Sequence, residues 1–130
     1  ARIELLLDRA ITLAGIGDYW EAIDDLNKAV DLDASRVDAL VLRATAWRKL
    51  KNLDLANDDI LRAVDAAPGS TDALLERGNI RLLRGDRAGA EADWRKVIDL
   101  NAKSPAADAA RDNLAKLKTP LKSPPEQPPK

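Results

Sequence analysis

The feature that most constrains this chain is a period of 34 residues that runs through most of its length. Residues 17–35, 51–69 and 85–103 align on one another when the sequence is shifted by 34 positions and then by 34 again. An unbroken period in this range is typical of arrays in which each unit packs on its neighbours, so it predicts a repeat architecture. The recurring positions include Asp18/Asn52/Asp86, Ala22/Ala56/Ala90, Leu26/Ile60/Trp94, Asp31/Asp65/Asp99 and Leu6/Leu40/Leu74.

Each period divides into two stretches in which apolar residues follow the spacing of an amphipathic α-helix. A short polar break separates them. Gly17 and Gly85 stand where a helix would end in a left-handed residue, and a residue with a capping side chain follows. Helices are predicted over residues 3–15, 19–32, 37–50, 53–66, 71–84 and 87–100, with a seventh over Pro105–Lys118. The predicted capping residues are Asp18, Asn52 and Asp86 within the repeats and Ser35, Ser70 and Ser104 between them.

These helices predict an all-α fold, a superhelical array of three helix–turn–helix repeats followed by a capping helix. The last helix carries an apolar stripe on one side and charged residues elsewhere, as the end of a stacked array requires. The stretch that follows it, TPLKSPPEQPPK, has five prolines and cannot continue a helix, so we interpret it as a proline-rich tail. The predicted organisation is a repeat domain over 1–118, with repeats 3–36, 37–70 and 71–104 and a capping helix 105–118, and a tail over 119–130.

Composition argues against catalytic and metal chemistry. The chain has no cysteine, which excludes disulfides and thiol catalysis, and no histidine, the commonest general base and metal ligand. The serines therefore lack a histidine to activate them. Neighbouring carboxylates such as Asp24 and Asp25 point roughly 100° apart on a helix and do not converge on a substrate. We predict no catalytic residues, no cofactor, no metal and no enzymatic activity.

Charge and hydropathy exclude two further classes of partner. The formal net charge is −1, so no overall field attracts the chain to nucleic acid or to anionic lipid. No apolar run approaches the ~20 residues that a membrane span needs. We expect a soluble protein, either cytoplasmic or periplasmic. Because the first residue is Ala1 and not methionine, the chain fits a processed protein, a trimmed one, or a domain of a larger protein.

Two charged series follow the period and are interpreted as structural. Each arginine precedes an aspartate by 16 residues, and the antiparallel helices of a hairpin bring positions with this separation face to face. Because the pattern recurs in every unit, it indicates a structural role within each unit. We therefore interpret these residues as ion pairs that fix hairpin geometry and not as acid–base catalysts. The predicted salt bridges are Arg9–Asp25, Arg43–Asp59 and Arg77–Asp93.

At this level of detail the sequence resembles the tetratricopeptide family, whose repeat is a 34-residue helix–turn–helix. The resemblance covers residues 3–104, and residues 105–118 resemble that family's solvating end helix. Arg81 departs from the pattern, because the equivalent positions hold apolar side chains. The best matches are small residues at Ala10/Ala44/Gly78 and Ala22/Ala56/Ala90, with Trp47 and Trp94 at the family's aromatic positions.

The resemblance implies a concave groove, lined by the first helix of each repeat, that holds a peptide or helix of a partner protein. It therefore implies a non-catalytic interaction module. The groove is expected to be an apolar strip edged by acidic residues. The positions that it assigns to the groove are Glu4, Leu7, Asp8, Ile11, Asp38, Val41, Leu42, Thr45, Arg48, Asp72, Leu75, Glu76, Asn79 and Leu82.

The same resemblance bears on the class of peptide. Family members that bind the acidic C-termini of heat-shock chaperones do so with lysine, asparagine and arginine side chains along this surface. The corresponding positions here hold Leu7, Ile11, Leu42, Asp72 and Glu76. We therefore expect a partner with aliphatic and basic side chains and expect acidic chaperone tails to be disfavoured.

Other features leave alternatives open. Trp20 has no aromatic counterpart in the other repeats, so it is a candidate secondary contact. The basic tail, 119–130, is a candidate ligand for the array itself or for a neighbouring copy. A self-associating scaffold, a homo-oligomer, and a domain of a larger multi-domain protein are the alternatives to a free binding module.

Overall fold

The computed structural model describes residues 2–118, and they form seven α-helices. Each helix begins and ends within one residue of the sequence prediction. The predicted proline-rich tail, 119–130, lies outside the described residues. The helices are α1 (Arg2–Gly15), α2 (Tyr19–Leu32), α3 (Val37–Lys49), α4 (Leu53–Ala66), α5 (Thr71–Leu83), α6 (Arg87–Leu100) and α7 (Pro105–Lys118).

The helices pack as three hairpins and a closing helix. α1 packs on α2, α3 on α4 and α5 on α6, while α2·α3, α4·α5 and α6·α7 contacts join each unit to the next. The first helices of successive units also touch, through α1·α3, α3·α5 and α5·α7 contacts. The array is therefore all-α, with α1, α3, α5 and α7 forming one continuous row.

Short polar side chains begin most of the helices. The carboxylate of Asp18 accepts a hydrogen bond from the backbone N–H of Glu21 at 3.4 Å, and Asn52 and Asp86 accept from the third residue beyond in the same way. Ser70 and Ser104 do the same for α5 and α7. Each bond satisfies one of the N–H groups that a helix start leaves without an intrahelical partner.

The prediction for Ser35 is wrong. The residue directly before α3 is Arg36, which makes no side-chain capping bond. Ser35 lies one position too early, and its N–H and hydroxyl both donate to Asp33. The register explains the difference, because Ser70 and Ser104 are the counterparts of Arg36 and not of Ser35.

Three equivalent turn positions adopt a left-handed backbone. Gly17 has φ +83° and Gly85 has φ +90°, as the sequence predicted for helix ends. The same position in the second unit is Lys51, with φ +64°. A lysine there carries the steric cost of a Cβ atom in a region that glycine occupies freely.

The predicted ion pairs all form, and each is a two-pronged contact. The Arg9 Nε and Nη2 atoms lie 2.7 and 2.5 Å from the Asp25 carboxylate oxygens, and Arg43–Asp59 and Arg77–Asp93 span 2.7–2.9 Å. Hydrogen bonding from Arg9 holds the pKa of Asp25 below its usual value and raises that of Arg9. The unusual Arg81 adds a second arginine to the third pair, with Nη1 3.1 Å from Asp93 Oδ2.

The third hairpin is packed differently from the other two. Trp94 is buried where the first two units have Leu26 and Ile60. Its indole occupies space beside Gly78, since a Cβ placed there would lie 2.7 Å from Trp94 Cδ1. The indole N–H also donates to the Leu75 carbonyl at 3.3 Å. The glycine is therefore matched to the tryptophan.

Candidate functional site

The row formed by α1, α3 and α5 carries a hollow of about 660 Å³ on its surface. Apolar side chains from all three helices line it: Ile11, Val37, Val41, Leu42 and Leu75. Most of them are half-buried. Polar residues complete the lining, namely Arg36, Asp38, Thr45, Ser70, Asp72 and Glu76.

A second hollow, of about 500 Å³, continues the first towards the C-terminal end of the array. Leu75 lines both, so the two form one groove. α7 supplies one wall of the second hollow. Its lining includes the cations Arg48, Lys49 and Lys116 and the amides Asn79 and Asn113, and it includes no carboxylate. Leu82, Leu83, Trp94, Ala109 and Leu117 complete it.

Most of the residues that the resemblance assigned to the groove lie in these hollows. Glu4, Leu7 and Asp8 do not. Leu7 is in the hydrophobic core, and Asp8 lines a depression on the outer face of α1. The first hollow contains Ile11, Asp38, Val41, Leu42, Thr45, Asp72, Leu75 and Glu76, and the second adds Arg48, Asn79 and Leu82.

Two acidic residues at the N-terminal edge of the groove share one arginine. Arg36 Nη2 lies 2.5 Å from Glu4 Oε1, and its Nε lies 2.8 Å from Asp38 Oδ1. These hydrogen bonds, led by the one that Arg36 donates to Glu4, raise the pKa of Arg36. The pairs link α1 to the start of α3, so this part of the edge carries less net charge than the sequence alone implies.

Glu76 is neutralised as well and is almost fully buried. Arg48 donates to its two oxygens at 2.5 and 3.1 Å, and the Thr45 hydroxyl lies 2.8 Å from Oε1. The contacts join α3 to α5 across the floor of the groove. Within residues 2–118, Asp72 is the carboxylate in the groove lining that has no ion pair.

The contribution of α7 is what the sequence analysis missed. Asn113 Nδ2 donates to Asn79 Oδ1 at 3.2 Å, and Asn113 lies 34 positions after Asn79. Lys116 has the same offset from Leu82. The period therefore continues into α7, which occupies the place of the first helix of a fourth unit. Extending the 34-residue register past residue 104 would have found both residues.

Trp20, the candidate secondary contact, packs on the adjacent unit. Its ring meets Trp47 edge to face with 5.6 Å between centroids, and 63% of the residue remains exposed. Its counterpart in the second unit, Asp54, pairs instead with Arg84 of the third unit at 3.0 Å. Trp20 therefore supplies an inter-unit contact by aromatic packing where the next junction uses charge.

The described part of the chain has neither a membrane-spanning helix nor a cluster of metal-ligating side chains. Within residues 2–118 no helix has the length and apolar character needed to cross a membrane. The same residues contain no group of three or more acidic side chains placed to hold a metal ion.

Comparison with known proteins places this fold among protein-interaction domains. No protein-family model matches the sequence. The rat DnaJ homolog subfamily C member 3 is 29% identical over 116 residues, which is 89% of this chain but 23% of the relative. The Xenopus tropicalis RNA polymerase II-associated protein 3 is 30% identical over 82% of this chain and 16% of its own length. The chain thus spans less than a quarter of these relatives.

One solved structure is similar to this chain over nearly the whole length of both proteins. The first TPR of Spaghetti (RPAP3), bound to the HSP90 peptide SRMEEVD, superimposes with a TM-score of 0.76 at 26% identity, covering 91% of this chain and 94% of that one. The seven helices and these likenesses identify the chain as a tetratricopeptide-repeat domain, with three repeats and a closing helix.

The expectation about partner chemistry is wrong in one respect. We expected acidic chaperone tails to be disfavoured, yet the similar Spaghetti domain is bound to an acidic HSP90 peptide. The prediction rested on the lack of cationic side chains at Leu7, Ile11, Leu42, Asp72 and Glu76 and on the acidic edge. In the structure Glu4, Asp38 and Glu76 are engaged by arginines, and Lys49 and Lys116 add cations to the lining of the second hollow.

Proposed function

We propose that this domain is a non-catalytic protein-interaction module that holds a peptide segment of a partner protein along the row α1, α3, α5 and α7. The observation that carries the proposal is the groove itself, two joined hollows of about 660 and 500 Å³ lined by side chains from four helices. Concave, mainly apolar surfaces with a few polar groups are the usual form of binding sites.

The first hollow, which is the apolar half of the groove, would take aliphatic side chains of the peptide. Val41, Leu42 and Leu75 are half-buried there, so covering them removes apolar surface from water at about 25 cal/mol per Å². This half would therefore supply most of the affinity.

The second hollow, which is the basic half of the groove, would take an acidic segment or a C-terminal carboxylate of the peptide. Arg48, Lys49 and Lys116 surround it, and the Asn79 and Asn113 amides add hydrogen-bonding groups. Arg48 is already paired with Glu76, so Lys49 and Lys116, both exposed, are the cations proposed to meet the peptide. An acidic end placed here would set the direction of the peptide in the groove.

The test is binding of the acidic peptide SRMEEVD, the ligand of the similar Spaghetti domain. We expect saturable binding that weakens with added salt, because the cations are exposed. A peptide with Gln and Asn in place of Glu and Asp should bind at least about fivefold more weakly. Equal affinity for the two peptides, or no binding of either, would contradict the basic half of the proposal.

Variants locate the site. Lys116→Glu should weaken binding of the acidic peptide roughly tenfold, since it removes an attraction and adds a repulsion. Lys96→Glu makes the same change on α6, outside both hollows, and should alter binding less than about twofold. Isothermal titration calorimetry at two salt concentrations measures both. An equal effect of the two variants would indicate attraction by overall charge and not a site.

A further inference from the structure

The outer face of α1 differs from the same face of every later first helix. Leu5 is 71% exposed, whereas its counterparts at 34-residue intervals, Ala39, Ala73 and Ala107, are 0% exposed. Those alanines are buried because the second helix of the preceding unit covers them, through the α2·α3, α4·α5 and α6·α7 contacts. Among residues 2–118 no helix covers the equivalent face of α1.

The arginines show the same contrast. Arg9 is bonded to Asp25 like its counterparts, but its side chain is 63% exposed, against 15% for Arg43 and 19% for Arg77. Arg43 Nη1 also donates to Asn27 of α2 at 3.0 Å, so the preceding unit completes that pair. Arg9 uses Nε and Nη2 for Asp25, and its Nη1 makes no hydrogen bond within the described residues. Arg77 also bonds Asp93 through Nε and Nη2 alone, so it is the exposure of Arg9 that sets it apart from both counterparts.

The two ends of the array are therefore unequal. At the C-terminal end α7 places polar residues such as Asp108 and Asp112 outwards, as a terminal helix should. At the N-terminal end a depression of about 550 Å³ is lined by Arg2, Leu5, Leu6, Asp8, Arg9 and Thr12. An exposed leucine and an exposed arginine lie where every later unit has a buried junction.

We propose that the outer face of α1 is a repeat junction that receives an amphipathic helix from a further repeat unit of the same polypeptide. The helix would lie on α1 as α2 lies on α3, with a small side chain opposite Leu5 and an amide or carboxylate accepting from Arg9 Nη1, as Asn27 does for Arg43. The occupant thus continues an interface that already recurs three times in this molecule.

Area favours a covalently attached helix over a second copy of the chain. α1 has 14 residues and is about 21 Å long, so one face about 10 Å wide covers on the order of 200 Å². A stable interface between separate molecules buries about 800 Å² on each partner. A helix in the same polypeptide docks at high effective concentration and does not need that area.

The test inserts a second copy of residues 3–36 between Arg2 and Ile3, so that a copy of α2 precedes α1 through the native connection. We expect the urea midpoint to rise by on the order of 1 M and the α1 amides to exchange at least ~10-fold more slowly. Because leucine is bulkier than the alanine of the other junctions, the insertion is also made with Leu5→Ala at the new junction.

The inserted chain contains its own control. Leu5→Glu at the new junction should remove the gain, while the same substitution in the outer copy should leave the midpoint unchanged, as should L5E in the original chain. If neither insertion raises the midpoint, or if both copies respond alike, the junction does not exist. If the original chain dimerises in sedimentation and L5E abolishes the dimer, the occupant is a second copy and the proposal is overturned.

Discussion

At the scale of single residues, close packing between Gly78 and Trp94 distinguishes the third repeat. A Cβ at position 78 would lie within 2.7 Å of Trp94 Cδ1, far inside van der Waals contact. The second repeat fills the same space with Ala44 and Ile60, both fully buried. The Ala44–Ile60 and Gly78–Trp94 pairs fill equivalent spaces with different side chains. Exchanging one pair for the other therefore tests how much the fit contributes to stability.

Gly78→Ala should destabilise the domain by about 1–3 kcal/mol through overpacking, and Trp94→Ile by about 3 kcal/mol through the cavity that it leaves. The double variant G78A/W94I recreates the pair of the second repeat, so it should cost less than the sum by about 1–2 kcal/mol. Urea denaturation followed by circular dichroism measures the cycle. Strictly additive effects would show that the two residues are not matched.

Lys51 offers a stabilising substitution. Its φ of +64° places a side chain where the equivalent turns have Gly17 and Gly85. Lys51→Gly should therefore stabilise the domain by about 1 kcal/mol, or roughly 4 °C in Tm. Lys28→Gly, the same change in the middle of α2, should cost about 1 kcal/mol. The prediction fails if thermal melts move in the same direction for both variants.

At the scale of elements, each hairpin is tied by an arginine–aspartate fork between its two helices. Asp25, Asp59 and Asp93 are buried, yet each accepts two hydrogen bonds from its arginine. Loss of either partner would leave a buried charge without compensation. Each fork therefore ties the geometry of its hairpin to one ion pair whose carboxylate is buried.

The first fork predicts a pH dependence. Hydrogen bonding from Arg9 lowers the pKa of Asp25 below the unfolded value of about 3.9, so the folded chain binds fewer protons there. The stability that it contributes is present above about pH 4 and is lost as pH falls through the folded pKa. Asp25→Asn should thus be less stable than the native chain at pH 7, with the difference shrinking below pH 4.

Urea midpoints at pH 7 and pH 3 measure this change. Asp24→Asn is the matched control, because Asp24 is the exposed neighbour on the same helix and should shift neither midpoint appreciably. A gap between native and D25N chains that is equally large at both pH values would contradict the assignment of the shift to the ion pair.

At the scale of the whole molecule, the period predicted the helices because helix ends depend on local sequence. Caps at Asp18, Asn52 and Asp86 and the turn at Gly17 are decided within a few residues, and the forks follow from the antiparallel hairpin. What sequence reasoning missed are contacts between repeats. Whether Glu76 is a free carboxylate depends on Arg48, 28 residues away on another helix, and no local pattern encodes that contact.

The groove was only partly predictable for the same reason. The first helices were identified, and eight of their assigned residues line the larger hollow, but the basic hollow needs Lys116 and Asn113 from α7. The sequence predicts α7 to be a solvating end helix, and this describes only its outer face. Its inner face continues the register of Asn79 and lines the second hollow.

Because α7 both closes the array and lines the groove, the opening of this helix reports whether a peptide occupies the groove. Among the helices of residues 2–118 it rests on α5 and α6 alone, so it is the element that opens most easily at that end of the array. A peptide held between Lys49 and Lys116 would bridge α3 to α7 and slow that opening. Amide exchange in α7 would then track ligand concentration, and a ligand that binds only the apolar hollow would leave it unchanged.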